Sequence, residues 1–407
     1  MHILFLTENF PPETNAAAAR VYERATYWAD WGHQVTVITC APNFPNGKLF
    51  DGYHNTWYQT EEMTGIKVVR VKTYITANQG VIRRSLDFFS FLFTGFFAGL
   101  FQSKPDVIAA TSPQFFAAVA GWSLGVARCR PFVFELGDLW PTSISAVGAM
   151  QNGFLLSTME RLELFLYRRS ALVVALTHAF KANLVSRQIP AGQIQVVLNG
   201  VDLHRYGPRE RSISLAAEWN IGQKFVIGYV GTHGMAHGLQ NVLDAAERLK
   251  EYTEILFLFV GAGAERDRLI HEAKSRGMSN VKFKQSQPKD LMPEIWSLCN
   301  VALVHLKNAP AFAEVMPSKI FEAMAMGLPI LLVSPEGEAS QLIGFHGAGS
   351  WVPAGNPEKL ATTILSLSGD KDVLSRYAQA SLDAAQLHSR EKQAQKMLSV
   401  FEQVVRG

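Results

Sequence analysis

The chain has 407 residues, 48% of them hydrophobic and 18% charged, and a formal net charge of +3. That length predicts two domains of roughly 150–200 residues, and the composition excludes a disordered chain. The small net charge argues against a nucleic-acid partner. Three isolated cysteines, Cys40, Cys129 and Cys299, with no Cys-x-x-Cys pair, point to neither a disulfide framework nor a zinc site.

The N-terminal run Met-His-Ile-Leu-Phe-Leu-Thr carries no basic leader and no small-residue cleavage site. It reads as a buried strand, and a cytoplasmic protein is expected. Further apolar strands are predicted at 35–39, 68–71, 107–110, 132–135, 172–175 and 195–198, with helices at 16–31, 113–127 and 153–169 between them. Such alternation is the pattern of a doubly wound α/β domain with a parallel sheet. After the first strand, the Pro11-Pro12 turn leads to Asn15, Ala16 and three more alanines. These small residues allow a ligand close to the backbone. The loop at Asn15 and Ala16 reads either as a diphosphate or acceptor loop or as a plain N-capped helix start.

Residues 88–101 read FFSFLFTGFFAGLF, with Arg83 and Arg84 before them and Lys104 after. Fourteen residues are too few to span a bilayer, which takes about 20. Two readings stand: a core helix apolar all round, or a monotopic surface dipping into the acyl boundary with its basic flanks on anionic headgroups. The second is favoured, with Arg161, Tyr167, Arg168 and Arg169 adding to a basic face. Further on, Phe134-Glu-Leu-Gly-Asp138-Leu-Trp140-Pro141 sets a carboxylate just past a buried strand. Asp138 is taken as the polar group nearest a reacting acceptor hydroxyl; the plainer alternative is a capping aspartate.

Asn199-Gly-Val-Asp202 reads first as a tight turn and second as a sugar contact, and residues 207–222 read as a polar interdomain passage. A second αβ series follows, with strands at 225–230, 255–260, 281–283, 301–304 and 330–333. The first of these runs into Gly231-Thr-His233-Gly234-Met-Ala-His237-Gly238. That spacing is not the dinucleotide Gly-x-Gly-x-x-Gly, which argues against a nicotinamide cofactor. His233 and His237 are helix-period neighbours, but without an intervening glutamate or third ligand they do not make a metal pair. Gly261-Ala-Gly263 forms a strand-to-helix turn expected to pack beside a nucleobase.

At Glu314-Val-Met-Pro317-Ser318-Lys319-Ile320-Phe-Glu322, two carboxylates eight positions apart bracket a helix start. Pro317 suits the first helical position and Gly327 the stop. The unpaired amides near Ser318 and Lys319 would attract a diphosphate. Glu322, at i+4 from Ser318, projects on the same side, where it can accept from two ribose hydroxyls. Glu314 is placed to reach hydroxyls on whatever the diphosphate carries. Together these residues read as a nucleotide-sugar grip. From about residue 370 the chain is helical to its end, and Asp370-Lys-Asp372, an Asp-x-Asp, reads as a solvated helix start. No metal cofactor is expected.

The Glu-x7-Glu pattern resembles the signature of retaining GT-B glycosyltransferases of family four, and within it bacterial surface-polysaccharide enzymes of the fucosamine-transferase type. The resemblance runs through segments in order from residue 7 to residue 335. It implies two Rossmann-like domains, 1–205 with a returning helix from about 387, and 206–386. It implies transfer of a sugar, N-acetylated and deoxy amino sugars included, from a UDP-linked donor to a glycan or polyprenyl-diphosphate-linked acceptor at the inner membrane face. Asp138 would lie at the active centre, where more distant relatives carry a histidine. Asp138, Glu314 and Lys319 would be catalytic. The donor would be held by Glu322, Gly231, His233, Gly234, His237, Gly261, Gly263, Pro317, Ser318, Ile320 and Asn199. Many members place an arginine and a lysine after the first strand of the second domain; this chain offers His233 and His237 instead. Rival readings are a non-hydrolysing UDP-sugar epimerase and a non-catalytic nucleotide-sugar-binding protein.

Overall fold

The computed structural model describes residues 1–44, 47–76, 81–112, 115–139 and 153–407. The chain divides into two compact units, one of residues 1–198 with 390–407 and one of residues 199–389.

The first unit is built on eight strands: β1 (His2–Leu6), β2 (Gln34–Cys40), β3 (Tyr58–Met63), β4 (Ile66–Val71), β5 (Val107–Thr111), β6 (Phe132–Leu136), β7 (Leu172–Ala175) and β8 (Ile194–Val196). Their order is β3-β4-β2-β1-β5-β6-β7-β8. Strands β1, β5, β6 and β7 are largely apolar and buried along their whole length, as a parallel sheet covered on both faces requires. The edge strand β3 is the exception. It pairs antiparallel with β4 through a tight turn in which Thr64 and Gly65 take φ of 48° and 74°. Its sequence, Tyr-Gln-Thr-Glu-Glu-Met, is half exposed throughout and carries no apolar run to announce it.

Helices Val81–Leu100, Phe115–Arg128 and Gly153–Arg169 cover one face of this sheet. Ala16–Asp30 and the last helix, Arg390–Arg406, cover the other. Trp28 fixes that second layer: it is fully buried, its indole Nε1 donates to the Ala394 carbonyl at 3.0 Å, and its ring meets Phe401 at 5.2 Å. The phenylalanine helix is buried on one side and exposed on the other. Phe91 is fully buried, while Phe89, Phe93 and Phe97 are 46%, 59% and 55% exposed. Among the described residues no helix is long and apolar enough to cross a membrane. Tyr167 does not join a basic face; it lies in the core with its hydroxyl donating to Glu163 at 2.7 Å. Arg161, Arg168 and Arg169 are exposed. The side chains of Arg83 and Arg84 lie outside the described residues.

The second unit carries six parallel strands, β9 (Phe225–Val230), β10 (Ile255–Val260), β11 (Val281–Lys284), β12 (Val301–His305), β13 (Ile330–Ser334) and β14 (Gly349–Pro353). Their order is β11-β10-β9-β12-β13-β14. The order reverses between β9 and β12, so the carboxyl ends of these two strands form the topological switch point where open α/β sheets take ligands. Residues 207–222 are not an open passage. Ile213–Glu218 is helical, and Trp219 and Ile221 are buried in the core of the second unit.

Candidate functional site

The switch point of the second unit is shaped by three glycines. Gly231, Gly261 and Gly263 take φ of +139°, +150° and +152°. A Cβ at Gly261 would stand 1.9 Å from the Gly231 carbonyl oxygen, and one at Gly263 would stand 2.5 Å from that of His233. Only glycine permits that approach. His233 N donates to Ala262 O at 2.8 Å and Glu265 N to His233 O at 2.9 Å, which ties the loop after β9 to the loop after β10. Gly234 has φ of -106°, and a Cβ there would meet only ordinary contacts, 3.4 Å from the Thr232 methyl and 3.8 Å from the His237 ring, so it carries no such constraint.

His233 and His237 do not lie on one helical face. The chain makes a 3-10 turn over Met235–His237, and the helix begins only at Gln240. The two rings instead flank Tyr229, at centroid distances of 5.7 and 6.1 Å. His233 is wholly buried, between Tyr229, Phe259 and Phe283, and neither ring nitrogen has a partner. Burial, then the charges of Lys319 and Arg266, push its pKa down to about 4. Burial, followed by Lys319, pushes His237 down to about 3. Both imidazoles are therefore neutral at physiological pH.

A third histidine, His305 at the end of β12, joins them. Its Nδ1 lies 2.6 Å from the His237 carbonyl. A carbonyl only accepts, so Nδ1 carries the proton and Nε2 is left to accept from Asn241 Nδ2 at 2.9 Å. By the same reasoning His237 Nδ1 donates to the His305 carbonyl at 3.4 Å. Burial lowers His305 to about 4, consistent with the neutral tautomer.

Lys319 completes the group. Its residue is partly accessible, yet Nζ itself is shut off from solvent and has no hydrogen-bond partner. The amine sits 3.9 Å from the Tyr229 ring centroid, and a Cβ at Gly231 would fall 2.8 Å from it. Burial lowers its pKa to about 7, against an opposing pull from Glu322. A lone, dehydrated ammonium held over an aromatic face at a switch point is a ready anion partner.

The helix after this loop spans Lys319–Ala325 with Ser318 as N-cap, so Pro317 precedes it rather than opening it. Two amides of the first turn are already used: Ile320 N donates to Pro317 O at 3.2 Å and Phe321 N to Ser318 O at 3.1 Å. The Ile320 side chain is fully buried in the core, which leaves only its backbone for a ligand. Its apolar side chain is held by packing. Gly327 follows the helix at φ of +67°. Glu322 is half-buried and accepts from Trp296 Nε1 at 3.4 Å. Glu314 ends the 3-10 turn Pro310–Glu314 and is half-buried. Asn199 is buried where the chain enters this unit. The next two residues run against the end of the later helix Lys371–Leu387: a Cβ at Gly200 would stand 2.7 Å from His388 O, and Val201 N donates to that oxygen at 3.0 Å.

Asn15, Ala16 and Asp138 belong to the first unit. Asn15 is an N-cap, its Oδ1 accepting from Ala18 N at 3.0 Å, and Ala16 opens the helix. Asp138 is half-buried in a turn held by the Ser112 hydroxyl, which accepts from Gly137 N at 2.9 Å and Asp138 N at 3.3 Å. Trp140 and Pro141 lie outside the described residues. Beneath this turn, wholly buried Glu135 pairs with Arg20 at 2.9 Å and Arg24 at 2.7 Å. Among the described residues no group of three or more His, Cys, Asp or Glu side chains is placed to hold a metal ion.

The sequence reading assigned nothing to Tyr229, His305 or Glu135. A carboxylate inside the apolar run Phe-Val-Phe-Glu-Leu was a legible signal, because a buried charge demands partners. The other two owe their roles to β9 and β12 being neighbours.

Residues 17–205 match the family model Glycosyltransferase Family 4, and residues 214–383 match Glycosyl transferases group 1. A protein of Escherichia coli (strain K12) named for colanic acid biosynthesis, the glycosyl transferase WcaI, is 26% identical over 398 residues, covering 94% of this chain and 97% of its own. Among solved structures, sucrose-phosphate synthase from Thermosynechococcus elongatus superposes with a TM-score of 0.81 at 17% identity, covering 99% of this chain and 98% of its own. HepE of Anabaena, solved with UDP-glucose, superposes at 0.71 and 20% identity, covering 99% and 100%. The fold is GT-B. The protein is a glycosyltransferase, its two halves matching the two glycosyltransferase family models.

Proposed function

We propose that the protein moves a sugar from a UDP-linked donor, with retention of configuration, to a glycan or polyprenyl-diphosphate-linked acceptor in the assembly of a cell-surface polysaccharide. The observation that carries this reading is the buried, unpartnered Lys319 amine at the switch point of the second unit. The likeness to WcaI, named for colanic acid biosynthesis, supports the polysaccharide context, and the UDP-glucose complex of HepE supports the donor class.

In this reading Lys319 meets the diphosphate, Glu322 the ribose hydroxyls and Glu314 the hydroxyls of the sugar. The bond between the anomeric carbon and the diphosphate oxygen breaks toward an oxocarbenium-like state. Charge stabilisation of the departing diphosphate is then the largest catalytic contribution. Since His233 and His237 are neutral, they can give hydrogen bonds but no charge, and Lys319 carries the neutralisation. The leaving phosphate oxygen takes the acceptor hydroxyl proton as the new glycosidic bond forms on the same face. Asp138 is assigned to the acceptor, and the exposed phenylalanines to the cytoplasmic membrane face.

The test is incubation of the pure protein with a panel of UDP-sugars, with and without a lipid-diphosphate sugar acceptor. Product that requires acceptor and is lost in Lys319→Met supports the reading. An isomerised donor without acceptor would make it an epimerase, and tight UDP-sugar binding without product a binding protein.

A further inference from the structure

On the first unit, at the amino-terminal ends of β6 and β7, lies an open cavity of about 330 Å³. Its charged lining is two arginines, Arg130 and Arg169, beside Ser170 and Cys129, and no carboxylate borders it. Among the described residues neither guanidinium has an acidic partner within ion-pair distance, and Arg130 Nε is buried without a hydrogen-bond acceptor. A dehydrated guanidinium N–H left unmatched is unfavourable unless a ligand supplies the oxygen. Arg169 is steadied over the Phe165 ring at 5.9 Å, and Phe165 meets Trp122 of the cavity wall at 5.0 Å.

Part of the cavity wall is apolar and outward-facing. Val126 on its wall is 62% exposed. Two residues further along, Arg128 donates to Leu100 O at 2.8 Å and Gln102 O at 3.0 Å, which clamps the cavity to the end of the phenylalanine helix. Between those two acceptors stands Phe101, 81% exposed, and one and two turns back are Phe97 and Phe93. An anion-seeking pair beside a continuous apolar stripe matches a surface that offers both acyl chains and phosphates.

We infer that Arg130 and Arg169 form a headgroup site for an anionic phospholipid, seated while Phe93, Phe97 and Phe101 enter the acyl boundary. Two guanidiniums, each able to give paired N–H bonds to phosphate oxygens, supply the recognition. The cavity lies at the strand ends opposite the carboxyl-end turn that carries Asp138, so lipid held there leaves that turn unobstructed. The inference rests on the membrane contact proposed above.

The experiment is co-sedimentation of the full chain with phosphatidylcholine vesicles, with and without phosphatidylglycerol. The proteins are wild type, Arg130→Gln/Arg169→Gln, Arg168→Gln and Phe93→Ser/Phe97→Ser, each checked for folding by circular dichroism. Wild type should bind anionic vesicles roughly thirtyfold more tightly than neutral ones, as two basic residues at about 1 kcal/mol each provide. The double arginine variant should lose that preference and keep its weak neutral binding. Arg168→Gln, on the same helix but outside the cavity, should keep the preference, and the phenylalanine variant should lose both. An unchanged double variant, or an equal loss in Arg168→Gln, removes the site while leaving membrane contact intact. Wild type that binds neither vesicle removes the membrane contact and the site with it. Saturation of the cavity by glycerol phosphate alone, with no vesicle binding, would replace the lipid by a free phosphate ester and overturn the inference.

Discussion

His305 and His237 hold each other by reciprocal bonds, each imidazole Nδ1 donating to the other's backbone carbonyl, at 2.6 and 3.4 Å. The pair bolts the loop after β9 to the loop after β12, and Lys307 N adds a third bond to Ala236 O at 2.8 Å. Two loops that flank a switch point are thereby fixed before any ligand arrives, which lowers the ordering cost of binding.

Acid should loosen this arrangement. His233, His237 and His305 have folded pKa values pushed down to about 4, 3 and 4 by burial. An unfolded histidine titrates near 6.5, so the unfolded chain binds more protons below that pH. Stability is therefore present above about pH 6.5 and falls as pH drops toward 4, on the order of 1 kcal/mol per pH unit per histidine. Urea denaturation between pH 7 and pH 5 should show the slope, and His233→Phe should flatten it. A slope unchanged in that variant would place the acid sensitivity elsewhere.

The alkaline side belongs to Lys319. Its amine titrates near 7 in the free protein because burial disfavours the charged form. A bound diphosphate favours the ammonium and raises that pKa, so donor affinity is fully present below about 7 and declines as pH rises. The expected result is kcat/KM for the donor falling about tenfold per unit on the alkaline limb. Lys319→Gln should lower kcat/KM by a hundredfold or so and abolish that limb. A limb that persists in the variant would refute the assignment.

The two glutamates should separate kinetically. Glu322→Ala is expected to raise the donor KM about tenfold with little change in kcat, since a ribose contact is made equally before and during reaction. Glu314→Ala is expected to lower kcat about tenfold or more, as its contact is to the sugar that changes charge. Steady-state kinetics on both variants decides; wild-type values for both would remove the grip.

The sheet framework was legible because parallel strands buried on two faces are written as largely apolar runs, and such runs mark most inner strands here. What escaped was structure without that signature. β3 is a polar edge ribbon held by a Thr64-Gly65 turn, and β14 reads Gly-Ser-Trp-Val-Pro, composed largely of residues that usually mark loops. Within the candidate site, the glycines at 231, 261 and 263 announced the turns that follow two strands. Tyr229 and His305 did not announce themselves, because strand order places β9 beside β12 across two intervening strands. The i,i+4 spacing of His233 and His237 misled for a related reason: periodicity assumes a helix, and the chain there makes a 3-10 turn.

The glycine contact yields a direct structural prediction. Gly261→Ala would force a methyl to 1.9 Å from the Gly231 carbonyl at a φ of +150°. Neither atom is the end of a flexible side chain, so backbone must move. We expect destabilisation beyond about 4 kcal/mol or failure to fold, whereas Gly234→Ala should be nearly neutral. Thermal melts of the two variants make the comparison, and equal melting points would show that the loops do not need their glycine.

The first unit offers a test of buried charge. Burial alone would raise the Glu135 pKa, but Arg24 and Arg20 outweigh it and hold the carboxyl below its ordinary value. Its contribution is present above about pH 4.5 and is lost as pH falls through the folded value. Glu135→Gln leaves two buried guanidiniums facing an uncharged amide and should cost about 3–5 kcal/mol. Replacing Arg20, Arg24 and Glu135 together by Met, Met and Leu removes the charges with their partner and should cost less than the single change. Chemical denaturation can rank them. If the triple variant is the less stable, the network is holding the Ser112–Asp138 turn in shape as well as balancing charge, since Arg20 Nη2 also donates to Thr111 Oγ1 at 3.1 Å directly beside Ser112.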